Sequence, residues 1–421
     1  MNNDLRWLRD HLQFQILPFW DSAFDDEYGG VFTCYTNDGK TKVSDDKFTW
    51  SQGRMLWCLS YLLDHLQCSE GLDDAALLRY RKRCDALYRL LSGNVLLPGE
   101  DEVCAFLLDR KGNPKRGGIG GSMYTSMYAD CFVIMGIARY ALLIKSREIA
   151  QEALAIYTKM QRVMAEGIIK TEPYPLPEGA CAQAIPMIIC NTAHELSLVL
   201  GQLGMSQSSY IKKDARSAAH TVLQKFADEQ TMQIREVVYK DPQKGMDLLA
   251  RHRNPGHAIE CMWFCLDALG DKYGNELSSY VLASLQLGWD SKWGGLLRYV
   301  DAEGGEPKGW CDGSAFSQLV ASTWDMKLWW PHVEAIYACA RFYQATRDDR
   351  FAMWYARLKQ YTYDTFPSEK GEEWIQIRTR TGVPQERIVA LPVKDPYHIM
   401  RMHLLMLNMD AELFKDIDHE V

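Results

Sequence analysis

Helical periodicity runs through almost the whole chain, and no other feature limits its folding options so much. Apolar residues recur every three or four positions in about twelve segments bounded by cap and breaker residues. These lie near residues 4–20, 47–67, 73–93, 124–143, 147–166, 179–203, 208–228, 255–269, 272–287, 325–346, 349–366 and 396–411. The segments come in pairs. Between pairs sit short Gly-rich stretches of alternating character. Two resemble each other, Asp25-Asp26-Glu27-Tyr28-Gly29-Gly30-Val31-Phe32 and Trp289-Asp290-Ser291-Lys292-Trp293-Gly294-Gly295-Leu296. Each reads as a tight turn into a β-hairpin, and weaker hairpin candidates lie at 104–114, 232–241 and 372–384. Repeated helix pairs with hairpin punctuation predict an all-α toroid of six pairs, an (α/α)6 barrel.

No Pro/Ser-rich linker divides the 421 residues, so residues 1–421 are expected to form one domain. In such a ring the inner helices point their N-termini into one cleft. Three helix starts carry a proline followed by a histidine: Asn254-Pro255-Gly256-His257, Trp330-Pro331-His332 and Asp395-Pro396-Tyr397-His398. Proline suits the first helical position, and Asn or Asp before it caps the helix. The three histidines are therefore expected to meet at the cleft.

Composition removes several classes of function. Net charge is −8, with no basic stripe, which argues against a nucleic-acid partner. The polar start Met1-Asn2-Asn3-Asp4-Leu5-Arg6 lacks a signal-peptide core, and no apolar run approaches the ~20 residues that span a bilayer. A soluble, cytoplasmic protein without a membrane partner is the expectation. The 12 cysteines are scattered, without a C-x-x-C pair; reduced, buried thiols and no metal site are expected. The 13 Trp and 21 Tyr fit a large helical core, and some fit a cleft that stacks on sugar rings.

The candidate chemistry rests on charged residues at these helix starts. Trp50, Arg54 and Trp57 share one helical face. An arginine there meets an anionic or polar ligand, or forms a structural ion pair with a site glutamate. His257 and Glu260 stand three apart, so the carboxylate can orient the imidazole. His332 reads as a packing or capping residue, and Glu334, two positions on, points another way. Trp329 and Trp330 read as a pocket wall. His398 and Arg401, three apart, suit removal of a proton beside a carbonyl, with the guanidinium stabilising the enediolate. Gly117-Gly118-Ile119-Gly120-Gly121-Ser122 lacks the lysine of a phosphate loop and is expected to be a mobile loop over the cleft.

Six motifs in order resemble the N-acylglucosamine 2-epimerase family. They are Tyr28-Gly29-Gly30-Val31-Phe32-Thr33-Cys34, Trp50-Ser51-Gln52-Gly53-Arg54, Pro186-Met187-Ile188-Ile189-Cys190-Asn191, Arg253-Asn254-Pro255-Gly256-His257 through Glu260, Met326-Lys327-Leu328-Trp329-Trp330-Pro331-His332 through Glu334, and Tyr397-His398 through Arg401. The resemblance implies an (α/α)6 barrel and catalytic roles for Arg54, His257, Glu260, Glu334, His398 and Arg401. It also implies substrate contacts from Trp50, Asn191, Trp329 and Trp330. Ile185-Pro186-Met187-Ile188 resembles the N-acyl branch, where free-sugar relatives carry a His-Met-His type segment.

The implied activity is epimerisation of N-acetylglucosamine to N-acetylmannosamine at C2 through an enediolate. His257 and His398 would exchange the proton, Arg54 and Arg401 would hold the charge on O1, Glu260 would orient His257, and Glu334 would bind hydroxyls or assist ring opening. No cofactor or metal is required; ATP is the implied non-consumed activator, the partner is a small sugar, and the implied assembly is a homodimer. Three alternatives remain open at this point: an isomerase or 2-epimerase of a free sugar such as mannose, a glycoside hydrolase using Glu260 and Glu334, and a non-catalytic binding protein.

Overall fold

Six helices have almost no polar face, and that decides where they sit. Fifteen of the seventeen residues of Met127–Leu143 are buried, against seven of the nineteen in Arg147–Ala165. A helix apolar all round must be enclosed, whereas one with a single apolar stripe can cover it. In the computed structural model, which describes residues 3–117, 121–368, 373–388, 391–392 and 394–420, these become an inner and an outer layer.

The helices are α1 (Asn3–His11), α2 (Leu17–Ser22), α3 (Thr49–Asp64), α4 (Leu66–Ser69), α5 (Asp74–Asn94), α6 (Met127–Leu143), α7 (Arg147–Ala165), α8 (Ala184–Gln202) and α9 (Ser208–Lys225). They continue as α10 (Leu248–Arg251), α11 (Pro255–Leu269), α12 (Gly274–Gly288), α13 (Ala315–Thr323), α14 (Trp329–Thr346), α15 (Asp349–Thr365), α16 (Tyr397–Leu407) and α17 (Ala411–Glu420). Helix α3 packs on α6, α6 on α8, α8 on α11, α11 on α14, α14 on α16, and α16 returns to α3. The inner ring is therefore closed. Helices α5, α7, α9, α12 and α15 cover it from outside, and α1 packs against α16, so the two ends of the chain complete the last pair. This is the expected (α/α)6 barrel.

The tightest inner crossing joins α3 and α6. A Cβ on Gly53 would lie 2.4 Å from the Phe132 carbonyl oxygen, and one on Gly136 would lie 2.5 Å from that of Gly53. Only glycine lets the two backbones meet this closely.

Short antiparallel ladders tie the loops at the mouth of the ring. Strand β1 (Lys47–Phe48) pairs with β2 (Leu107–Leu108), and β2 with β3 (Pro114–Lys115). Strand β4 (Ala180–Ala182) pairs with β7 (Val237–Tyr239), and β5 (Ala227–Asp228) with β6 (Gln233–Ile234). Strand β8 (His252–Arg253) pairs with β9 (Val300–Asp301), and β10 (Lys327–Leu328) with β11 (Ile377–Arg378).

The two look-alike segments form the same turn, each closed by one bridge, Phe24 to Val31 and Trp289 to Leu296. Asp25 Oδ1 accepts the N–H groups of Glu27 and Tyr28, and Asp290 Oδ1 those of Lys292 and Trp293. A buried lysine braces each turn: Lys47 Nζ lies 3.0 Å from Asp25 Oδ2, and Lys327 Nζ 3.2 Å from Asp290 Oδ2. The N–H of Val31 then reaches Gln52 Oε1, and that of Leu296 reaches His332 Nε2. Trp50 and Arg54 on α3 thus hold the places that Trp330 and Glu334 hold on α14.

Several sequence expectations need correction. The segment 4–20 is helical throughout, but a π-helical stretch at Leu12–Ile16 interrupts the α pattern between α1 and α2, beside Pro18, which has no N–H for the Phe14 carbonyl. Helix α8 starts at Ala184 because 180–182 are drawn into β4. The stretch 232–241 is not a hairpin, since β6 and β7 pair outward with different strands. Helices α10, α13 and α17 lie outside the expected segments. Among the described residues one helix, α8, is long and apolar enough to cross a membrane, but 61% of that window is buried among other helices. Residues 118–120, half of the expected loop over the cleft, lie outside the described residues. All twelve cysteines are unpaired; ten are buried, Cys181 is half-buried and Cys311 is exposed.

Candidate active site

Because every inner helix starts at the same end of the ring, its first turns meet around one cavity. The cavity measures about 180 Å³ and takes Trp50, Arg54, His257, Glu260, Trp329, Trp330, His398 and Arg401 into its wall. Two predicted residues stand back from it. Glu334 lies beneath the lining, and Asn191 sits deeper along α8 than the lining residues Met187 and Ile188.

His257 is placed by its cap. The Asn254 side chain accepts the His257 N–H at 3.2 Å, with Pro255 in the first helical position. Its Nδ1 donates to Glu236 Oε1 at 2.7 Å, and not to Glu260, the expected partner. Glu260 instead accepts from Arg401 Nη2 and lies 4.0 Å from His398 Nδ1. A carboxylate three residues along shares a helix face, but here an arginine from α16 claims it first.

His398 follows the Asp395-Pro396 start, where Asp395 Oδ1 accepts the Tyr397 N–H at 2.9 Å. His398 Nδ1 donates to Glu334 Oε1 at 2.7 Å, and Arg401 Nη2 donates to the same oxygen at 2.7 Å. The second Glu334 oxygen accepts the Trp263 indole N–H at 3.0 Å. Three protein donors thus converge on Glu334, which orients its neighbours from behind the cavity wall.

Arg54 forms the structural ion pair foreseen as one of its two readings, but with an aspartate: Nη1 lies 2.8 Å from Asp395 Oδ2. Its guanidinium also stacks 4.0 Å from the centre of the Phe132 ring. His332 packs in the core. Its Nδ1 donates to the Leu328 carbonyl and its Nε2 accepts the Leu296 N–H, so both nitrogens are used and burial pushes its pKa down to about 3.

Trp330 lies against both imidazoles, 5.1 Å between ring centres for His257 and 5.7 Å for His398. Gly256 makes room for it, since a Cβ there would sit 2.7 Å from the indole.

Burial alone would make His257 less basic. The facing Glu236 carboxylate outweighs that, and the His257 pKa is raised. Burial would also raise the Glu334 carboxyl, but Arg401 and His398 hold it well below the usual range. Glu260, Glu334 and His398 bring ligand atoms within 4.8 Å of one another. The positive charge amid these groups is the Arg401 guanidinium. Among the described residues, Arg54 Nε, Arg401 Nε and Trp329 Nε1 are buried donors without a protein acceptor.

Three charged cavity residues escaped the sequence reading. Glu236 and Arg298 sit in short strand-like stretches, and Asp395 was read only as a cap. Glu236 did leave a trace: it stands between the apolar Ile234 and Val237, both buried, and an inward glutamate is uncommon.

Residues 115–402 match the model of the family described as N-acylglucosamine 2-epimerase (GlcNAc 2-epimerase). The chain belongs to this family. It is 28% identical over 406 residues to N-acylglucosamine 2-epimerase of Bos taurus, covering 92% of this chain and 86% of that one. It is 23% identical over 411 residues to cellobiose 2-epimerase of Dictyoglomus turgidum, covering 95% and 97%. Cellobiose 2-epimerase from Bacillus thermoamylovorans shares the fold, with a TM-score of 0.75 at 20% identity over 97% of this chain and 99% of that one. As a member of the N-acylglucosamine 2-epimerase family, the chain is an isomerase of the 2-epimerase type.

Proposed function

We propose that the chain interconverts N-acetyl-D-glucosamine and N-acetyl-D-mannosamine by moving the C2 proton between His257 and His398. The observation that carries this reading is that two imidazoles from different helices flank Trp330, each tied at Nδ1 to a glutamate. A histidine held this way keeps Nε2 as its proton-exchanging atom, and imidazole is a side chain that can serve as acid and as base near neutral pH.

Once the ring opens, the C1 aldehyde acidifies C2–H. One histidine takes that proton, the C–H electron pair forms C1=C2, and the carbonyl pair moves onto O1. The other histidine returns a proton to the opposite face, and C1=O re-forms. Arg54 and Arg401 have the charge to steady O1. Ala184, Met187, Ile188 and Phe264 give the cavity an apolar wall that suits an acetamido methyl group. Glu260 and Glu334, both tied to Arg401, are poorly disposed for a glycosidase acid–base pair.

Proton NMR in D₂O tests the reading. N-acetylmannosamine should gain deuterium at C2 as N-acetylglucosamine appears. Mannose turning over in its place would move the protein to a free-sugar isomerase or 2-epimerase. No exchange on either sugar, with or without ATP as a non-consumed activator, would overturn it.

A further inference from the structure

The two histidines are held by unequal partners. Glu334, the partner of His398, shares its Oε1 with Arg401. Glu236, the partner of His257, comes from a different part of the mouth, between β6 and β7, and only 4% of it is exposed. Its backbone is fixed from both sides. Val237 pairs with Ala182 in the β4–β7 ladder, and the Glu236 carbonyl accepts the Gln183 N–H at 2.9 Å. The carboxylate is thus built into the sheet that borders α8 and faces α11.

The charged groups that face His257 are Glu236, Glu260 on its own helix, and Arg298 from the loop before β9. The phenols of Tyr128, Tyr174 and Tyr299 lie within electrostatic reach of Glu236, and burial keeps all three neutral. A glutamate so enclosed has a fixed geometry, and a carboxylate accepting Nδ1–H fixes the imidazole tautomer and strengthens Nε2 as a base.

We propose that Glu236 is the positioning residue of His257, fixing its tautomer and basicity, so that it governs one of the two proton transfers and leaves the other untouched. This rests on the two-histidine reading above. When His257 is the base, its Nε2 takes the C2 proton, the C–H pair becomes C1=C2, O1 takes the carbonyl pair, and Nε2–H of His398 supplies the proton on the other face. In the reverse direction the same two atoms exchange roles.

The test compares wild type, Glu236→Gln and Glu236→Asp with both N-acetylhexosamine epimers, each protonated or deuterated at C2, in H₂O and D₂O. In Glu236→Gln, turnover is expected to fall about 10- to 100-fold, as for loss of a base's orienting partner. The effect of C2 deuteration should grow for the epimer whose C2–H faces His257. For the other epimer it should shrink toward unity while the solvent isotope effect grows. Glu236→Asp keeps the charge on a shorter arm and should show the same asymmetry at smaller size, which serves also if the Gln variant does not fold. Isotope effects that stay as in wild type for both epimers would overturn the inference while leaving the two-histidine reading standing. No deuterium entering C2 in the wild type would remove that reading and this inference with it.

Discussion

Arg54 Nη1 lies 2.8 Å from Asp395 Oδ2 across 341 residues of sequence. The same carboxylate caps the start of α16 through the Tyr397 N–H and stands 3.4 Å from His398 Nε2. One aspartate therefore links the first turns of α3 and α16 beside a histidine of the site. Replacing Arg54 with Lys keeps a charge but loses the planar fork and its stacking on Phe132. The expected result is a fall in kcat of about 10²-fold or more, as for loss of an electrostatic stabiliser, with a thermal transition close to that of wild type. Steady-state kinetics and circular dichroism melting check both parts.

Single-histidine variants should separate exchange from epimerisation. His257→Gln and His398→Gln should each lose at least about 10² in epimerisation. Each should still wash deuterium into C2 of one epimer and not the other, because the surviving imidazole reaches only one face. Proton NMR of both epimers with each variant reads this directly. A variant of either residue with near-normal turnover would remove the assignment.

Asp130 gives a prediction about stability. It is buried on α6, accepts the Cys104 N–H at 3.0 Å and the Tyr124 hydroxyl at 3.1 Å, and burial pushes its carboxyl from 3.8 up to about 8. A group whose folded pKa is raised favours folding fully below its unfolded pKa, and that contribution fades as pH climbs through the folded value. Asp130→Asn keeps the acceptor for Cys104 and has no proton to lose. Its melting temperature relative to wild type should rise between pH 5 and pH 8.5, by about 2 °C or more, and then level off. A difference that stays flat with pH would count against it.

The α3–α6 crossing predicts a strictly steric effect. Gly53→Ala puts a methyl 2.4 Å from the Phe132 carbonyl oxygen, where no flexible side chain can yield. The helices must separate, at a cost of about 1–3 kcal/mol, and Arg54 and Phe132 move with them. Urea unfolding should show the lost stability. Ala at Gly167, where a Cβ would meet nothing within 4 Å, is a poor control because φ there is +84°; Gly93→Ala, also with open space and no positive φ, should cost little.

The sequence by itself determined the long helices, the ring and the helix starts that carry His257 and His398. Those are local matters. Period, caps and the Pro-His starts act over a turn or two, so Asn254-Pro255 places His257 wherever the chain goes next. Only the tertiary structure decided who pairs with whom. His257 took Glu236 from the bend between β6 and β7, 21 residues upstream, His398 took Glu334 from another inner helix, and Arg401 claimed Glu260. Spacing along a helix gives the face a side chain shares, but a buried charge settles on the partner that best repays its lost hydration, and that partner arrives through the closing of the ring.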